Sequence, residues 1–240
     1  MHIPLIIVSL WAFATVLAYP LRHGAAADIQ VLGRLWTLIA NRVADHVAIL
    51  AFANVLEQLG SAFYTQALEQ FNASSFGAAG FASSQIPIQE IQTIASDKNT
   101  HAITLQVCEI LLFRDPSIKA LLFQSAIHAL GGEVVSNCTF NFSSALTNVD
   151  TMITTARVVE NVGVGAYLGA LTSLADPVLV TTAASILTVQ ARHQSILNLL
   201  ANATSLPQPF DVALSPEDVL SIADTFISGC KLGFSGTHII

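Results

Sequence analysis

The sequence predicts an all-α protein, a bundle of four long helices, and three observations support this class. Apolar residues recur at helical spacing in four separate segments of the 240-residue chain. No run alternates apolar and polar residues for long enough to predict a β-sheet. With 53% hydrophobic and 10% charged residues, the chain is expected to bury most of its length.

The first two helices are predicted on either side of a short polar stretch. The first runs from Asp45 to about Leu68 and is apolar nearly all round, which is typical of a helix buried on most sides. The second begins near Ile88 and carries an apolar stripe on its interior face. Gly131-Gly132 ends that segment, and a long polar crossover containing Cys138 leads to the third helix.

The second half of the chain supplies two more long helices and a short one. The third is predicted from about Asn148 to Leu171, and the fourth from Asp176-Pro177 to about Ala201. The stretch Ser215-Pro216-Glu217-Asp218 then predicts a short C-terminal helix. Serine caps a helix, proline fits its first turn, and acidic residues favour the positive end of its dipole.

The domain organisation follows from these helices. It comprises a signal peptide at 1–18, an N-terminal segment without an assigned structure at 19–44, the four-helix bundle at 45–206, and a short helix with a tail at 207–240.

The N-terminus and the sequons indicate a secreted glycoprotein. Residues 1–18 hold about fifteen nearly uninterrupted apolar residues and end in the small-x-small triplet Val16-Leu17-Ala18, which is typical of a signal peptide. The alternative is a membrane anchor, but the run falls short of the ~20 residues that a membrane span needs. No span is expected after cleavage, because the later apolar runs carry interior Glu, His, Asn or Arg. Four N-glycosylation sequons begin at Asn72, Asn137, Asn141 and Asn202.

The net charge of the chain limits the classes of partner that it is expected to bind. A formal net charge of -7 with nine basic residues argues against a nucleic-acid groove, which needs a dense field of lysine and arginine. Self-association and a cell-wall or other extracellular partner remain open.

Residues 107–124 stand out as an insertion in the second helix. They would stretch that helix beyond its partners and place Asp115-Pro116 inside it, where a proline costs about 3 kcal/mol. The segment begins and ends with residues whose codons are compatible with splice sites. It also carries Cys108, one of three cysteines, an odd number for an oxidising compartment. We expect an unspliced intron, with a genuine surface insertion as the alternative.

Acidic and histidine residues in the four helices match the pattern of a di-metal carboxylate centre. Such a centre takes one glutamate from each of two helices and a Glu-x-x-His pair from each of the other two. Glu57 and Glu160 occupy the single-glutamate places in the first and third helices, and His101 and His193 the histidine places in the second and fourth. These four residues are the candidate metal ligands.

The two single glutamates belong to a repeated motif. E-x-x-G-x-x-x-Y occurs from Glu57 to Tyr64 and again from Glu160 to Tyr167, and at helical spacing the three named positions share one face. The two glycines of the motif suggest a close approach of helices. The two tyrosines are predicted as buried phenols, in the core or beside the ligands.

Five stretches carry a resemblance to a known family. They are LAFANVLEQLGSAFY (50–64), CTFNF (138–142), ENVGVGAYLGA (160–170), ILTVQARHQ (186–194) and ISGC (227–230). In them the chain resembles the secreted ferritin-like family of fungi, which is linked to stress response and late sexual development and related to plant desiccation proteins. The resemblance implies a ferritin-like four-helix bundle with a long crossover between helices 2 and 3. With the resemblance, Cys138 and Cys230 are expected to form the one disulfide.

The resemblance also implies that two metal ligands are missing. The family has glutamates where this chain has Lys98 and Gln190, and those glutamates would bridge the two metals. Two half-sites remain, and Lys98 offers a positive charge in place of the metal cations. The expected function is therefore that of a structural or stress-associated and development-associated protein, without catalytic residues or a cofactor. The alternative is an iron or manganese protein, an oxidase, peroxide-handling or iron-binding protein, that uses the four candidate ligands.

Overall fold

The computed structural model describes the backbone of residues 25–112 and 138–229, and the side chains of residues 46–106 and 138–229. Contacts between residues divide the chain into two units, Met1–Arg42 and Val43–Ile240. In the first unit, residues 25–42 are helical. The bundle and the candidate site belong to the second unit.

The described chain is all-α apart from one pair of very short strands, which confirms the predicted class. The helices are α1 (Ala25–Gln70), α2 (Ala73–Ala78), α3 (Gln85–Leu112), α4 (Val149–Leu171), α5 (Pro177–Leu200) and α6 (Pro216–Ala223). The strands β1 (Thr139–Phe140) and β2 (Ile227–Ser228) pair antiparallel, with Thr139 opposite Ser228. The long helices α1, α3, α4 and α5 correspond to the four predicted ones.

The differences from the prediction concern the ends and connections of these helices. Helix α1 begins at Ala25, inside the segment 19–44 to which the sequence assigns no structure. Helix α2 was not predicted, and Asn72 caps it by accepting from the backbone N–H groups of Ser74 and Ser75. The strands were missed because each has only two residues, too few for an alternating pattern.

Capping residues fix the beginnings of the last three helices, which start where the sequence predicts, and Ser215 is the cap predicted for the last of them. Asn148 accepts from the Thr151 backbone N–H at the start of α4, and Asp176 accepts from two backbone N–H groups at the start of α5. At α6, Ser215 and Asp218 form a capping box in which each side chain accepts from the backbone N–H of the other.

Two buried apolar clusters fill the bundle. The first contains Phe63 from α1, Ile94 from α3, Met152 from α4 and Leu197 from α5. The second contains, on the same four helices, Leu50, Leu105, Tyr167 and Ile186. In each helix the predicted ligand position lies between a residue of one cluster and a residue of the other, so the site is enclosed by apolar packing at both ends.

One segment of α1, His46–Gln70, is long and apolar enough to cross a membrane by length and composition, with a mean hydropathy of 1.3. Half of that window is buried inside the protein, and Glu57 lies within it. A core helix of a soluble bundle passes the same test, so this segment is weak evidence for a span.

Several sequence predictions fall on residues outside the described part. These are the signal peptide at 1–18, Asn137, the side chain of Cys108, most of the segment 107–124, and Cys230. Helix α3 continues to Leu112, so the first residues of the predicted insertion extend it. Cys138 is disulfide-bonded, and its pairing with Cys230 stays a prediction.

We expect Ser215→Ala to lower the free energy of unfolding by about 1 kcal/mol, because it removes the side-chain acceptor of the capping box. Urea unfolding followed by circular dichroism measures the change. Ser205→Ala is the control, since that serine precedes α6 and caps no helix. An equal loss in both variants would contradict the capping role.

Candidate functional site

The four long helices bring the predicted site residues together in one buried group, here called the central cluster. Its members are Glu57 from α1, Lys98 and His101 from α3, Glu160 from α4, and Gln190 and His193 from α5. None of the six is more than 9% exposed. Polar side chains at this depth need partners, since an unpaired buried charge is strongly unfavourable.

Lys98 lies at the centre of this cluster. Its Nζ atom is 3.2 Å from Glu160 Oε2 and 3.5 Å from Glu57 Oε2, and it donates a hydrogen bond to Gln190 Oε1. Gln190 Nε2 in turn donates to Glu57 Oε1 at 3.0 Å. The sequence analysis gave Lys98 the place of the metal cations, which requires salt-bridge reach of Glu57 or Glu160, and Lys98 is within reach of both. The ammonium group joins carboxylates from two different helices.

The two tyrosines of the repeated motif bind the glutamates crosswise. Tyr64 Oη donates to Glu160 Oε1 at 2.8 Å, and Tyr167 Oη donates to Glu57 Oε1 at 2.9 Å. Each motif therefore supplies a carboxylate and a phenol, and each phenol serves the carboxylate of the other motif. These contacts explain why the tyrosine recurs seven places after the glutamate.

The glycines of the motif make room for Lys98 and Gln190, the two residues at the positions where a Glu-x-x-His pair would have its glutamate. A Cβ atom at Gly60 would lie 3.0 Å from Lys98 Cδ, and one at Gly163 would lie 2.5 Å from Gln190 Oε1. The atoms next to both glycines therefore belong to side chains of a neighbouring helix, and close approach of the helix backbones stays a prediction. The space is filled by the long side chains of Lys98 from α3 and Gln190 from α5.

Both histidines lie beside carboxylates. His193 places Nδ1 at 3.3 Å from Glu160 Oε2 and Nε2 at 3.1 Å from Asp97 Oδ2. Both ring nitrogens can donate only when the imidazole is doubly protonated, and this form suits two carboxylate neighbours. His101 Nδ1 lies 3.5 Å from Glu57 Oε2, and each of these two atoms lacks a hydrogen-bond partner.

Asp97 is a site residue that the sequence analysis missed. Its side chain is 39% exposed, and it reaches His193 from the rim of the cluster. The available signal was an acid next to Lys98 on the interior stripe of α3. The metal-centre pattern has no place for it, so it was not considered.

Burial and ion pairing act in opposite directions on the pKa values of Lys98 and Glu160. Burial alone would lower the pKa of Lys98, but the carboxylates of Glu160 and Glu57 outweigh it and raise that pKa above the usual range. Burial likewise favours a raised pKa for Glu160, but Lys98 and then His193 and Tyr64 bring it below the usual range. Both groups are therefore charged at neutral pH.

The phenols are held in their protonated form. Burial, followed by the charge of Glu160, raises the pKa of Tyr64 well above its ordinary value. Burial and then Glu57 do the same for Tyr167. Both tyrosines therefore act as hydrogen-bond donors to the carboxylates throughout the neutral range.

The central cluster does not fit a pair of bridged metal ions. Within the described residues, no group of three or more His, Cys, Asp or Glu side chains is arranged to hold a metal. The Oε2 atoms of Glu57 and Glu160 both face the Lys98 ammonium, so a cation of the protein already lies between the two carboxylates. Bridging two metal ions would require further oxygen ligands. Gln190 offers one neutral amide oxygen, and that oxygen already accepts a hydrogen bond from Lys98.

Comparison with protein families assigns the fold. A ferritin-like domain model matches residues 45–108 and 119–203, more than half of the chain, and the protein therefore belongs to the ferritin-like domain family. The match covers the parts of the four long helices that carry the residues of the central cluster. Residues 109–118, between the two matched parts, lie inside the segment 107–124 that the sequence singles out as an insertion. No curated protein matches the chain.

We expect Lys98→Met to lower the free energy of unfolding by about 3–5 kcal/mol at pH 7, because it leaves two buried carboxylates without their cation. Arg192→Met, at an exposed position of α5, is the matched control and should cost far less. Urea unfolding measures both.

The pH dependence of the free energy of unfolding follows from the directions in which the pKa values of Glu160 and Lys98 are shifted. The contribution of Glu160, whose pKa is lowered in the folded state, is present above its unfolded value of about 4.3 and is lost as the pH falls through the lower folded value. The contribution of Lys98 is complete below about pH 10.4 and is lost only as the pH rises through its raised folded value. The cost of Lys98→Met should therefore shrink towards pH 3. A cost that is unchanged at pH 3 would contradict the charge pairing.

Proposed function

We propose that this chain is a secreted, glycosylated ferritin-like protein in which Lys98 replaces the metal cations of an ancestral di-metal site. In this proposal it acts as a structural protein associated with stress or development, and not as a catalyst. The single observation that carries the proposal is the Lys98 ammonium between the carboxylates of Glu57 and Glu160. The resemblance to secreted fungal ferritin-like proteins supplies the biological class.

Charge balance supports the replacement. Four carboxylates would offset two divalent ions, whereas this cluster has two central carboxylates and one ammonium. One protonated histidine makes those groups neutral together, and the position of His193 between Glu160 and Asp97 suits a protonated imidazole. A buried ion cluster compensated from within needs no metal to be tolerated in the core.

A second candidate function is a metalloprotein that holds one iron or manganese ion with Glu57, His101, Glu160 and His193. One observation favours it: Glu57 Oε2 and His101 Nδ1 face each other at 3.5 Å and neither has a hydrogen-bond partner. A carboxylate oxygen and an imidazole nitrogen are both suitable ligands for these metals. Lys98 would have to leave the space between the glutamates for this arrangement to form.

Metal content separates the two candidates. We expect wild-type protein loaded with iron(II) or manganese(II) to retain no ion after desalting. The double variant Lys98→Glu/Gln190→Glu should retain two per chain, because it restores both Glu-x-x-His pairs. Elemental analysis under identical loading measures both. Without metal, the double variant should melt at a lower temperature, because four carboxylates then lie together.

The control for added negative charge is Gln89→Glu/Gln92→Glu, two exposed positions on α3. It should bind no more metal than the wild type. Tightly held ions in the wild type would reject the replacement proposal and favour the metalloprotein.

Secretion has its own test. We expect protein from the culture medium to begin near Tyr19 and to lose mass on treatment with an N-glycosidase. Asn72, Asn141 and Asn202 are exposed, as acceptors of a glycan must be. Replacing each of the three by Gln shows which of them carries a glycan, and the same change at Asn137 tests the fourth sequon. Retention in the cell with Met1 in place, or no mass loss, would contradict secretion or glycosylation respectively.

A further inference from the structure

An apolar cavity of about 290 Å³ lies next to the central cluster. Its walls come from α1, α4, α5 and the chain from Ala213 to Phe226, and most of its lining side chains are aliphatic or aromatic. Glu57, Lys98, Gln190 and Tyr167 of the site also border it. Because a ligand site is typically a concave, mostly apolar space of this order of size, the cavity is a candidate binding site.

The charged groups that border the cavity are committed to one another. Lys98 pairs with Glu57 and bonds Gln190, while Gln190 and Tyr167 both donate to Glu57 Oε1. Glu57 and Gln190 are 1% exposed and Lys98 2% exposed. These side chains therefore close one side of the cavity, and their charges are paired with one another and not with a ligand.

No other charged side chain lines the cavity among the described residues. The remaining polar lining consists of hydroxyl groups, such as those of Thr172 and Ser215, which are also exposed to solvent. An anionic or cationic head group placed in this cavity would lose its hydration without gaining a partner of opposite charge, which is costly. The chemistry of the lining therefore selects an uncharged ligand.

We propose that this cavity binds an uncharged apolar molecule whose polar part, where it has one, is a hydroxyl group. An apolar cavity of about 150 Å³ holds one benzene molecule, so this cavity accepts a ligand of about twice that size. The proposal goes beyond the structural role proposed above and does not depend on whether the central cluster holds metal.

The test uses a matched series of ligands on the full-length, metal-free protein. Decanol, decanoate and decylamine share one hydrocarbon chain and differ in the charge of the head group. Each is used to displace the neutral fluorescent probe phenyl-naphthylamine. We expect saturable binding of one probe per chain, displaced by decanol at concentrations at least about tenfold lower than by either charged analogue, the fold-change that corresponds to about 1.4 kcal/mol.

Two blocking variants connect binding to this cavity. Ala53→Phe on α1 and Ala166→Phe on α4 each place a ring into the lining from a different helix. Ala184→Phe adds the same ring at a half-buried position of α5 outside the lining. Probe binding should be lost in at least one correctly folded blocking variant and kept in the Ala184→Phe control, with folding checked by circular dichroism.

Four results would overturn the proposal. The first is that the wild type shows no saturable probe binding, which is also the result expected if the chain itself fills the cavity. The second is that decanoate or decylamine displaces the probe as effectively as decanol. The third and fourth are unchanged binding in folded blocking variants and an equal loss of binding in the Ala184→Phe control.

Discussion

The contact of the Lys98 ammonium with the carboxylates of Glu57 and Glu160 is the interaction on which the rest of the core depends. Two carboxylates within reach of each other in an apolar interior repel and lose hydration, and a cation between them removes both penalties. Here that cation is part of the chain and arrives from a third helix. Charge compensation is therefore present as soon as the bundle has formed, with no ion taken from solution.

The other features of the cluster follow from this placement. The Lys98 side chain passes so close to Gly60 of α1 that a Cβ atom there would lie 3.0 Å from Lys98 Cδ. The second oxygen of each glutamate needs its own donor, and the two motif tyrosines supply one each. The apolar clusters on both sides keep water out and so keep the pairing strong.

Much of this arrangement could be predicted from the sequence, because helical periodicity and the spacing of Glu and His were enough to place Glu57, Lys98, His101, Glu160 and His193 together. The contribution of Asp97 could not be predicted, since its contact depends on the relative rotation of α3 and α5. The side chains that pack against Gly60 and Gly163 could not be named in advance, because a glycine shows only that space is needed and not what fills it. Strands of two residues leave no pattern to read.

The crosswise tyrosine bonds have a consequence for how the chain reaches its native state. Each joins residues about a hundred positions apart, Tyr64 with Glu160 and Glu57 with Tyr167, so neither can form before α1 and α4 have met. In a folding intermediate in which only one of these helices has docked, the carboxylate of that helix lacks its hydrogen-bond donor and the phenol lacks its acceptor. Both unsatisfied groups raise the free energy of such a partly assembled form. We therefore expect the side chains of the core to become ordered together in a single late step of folding.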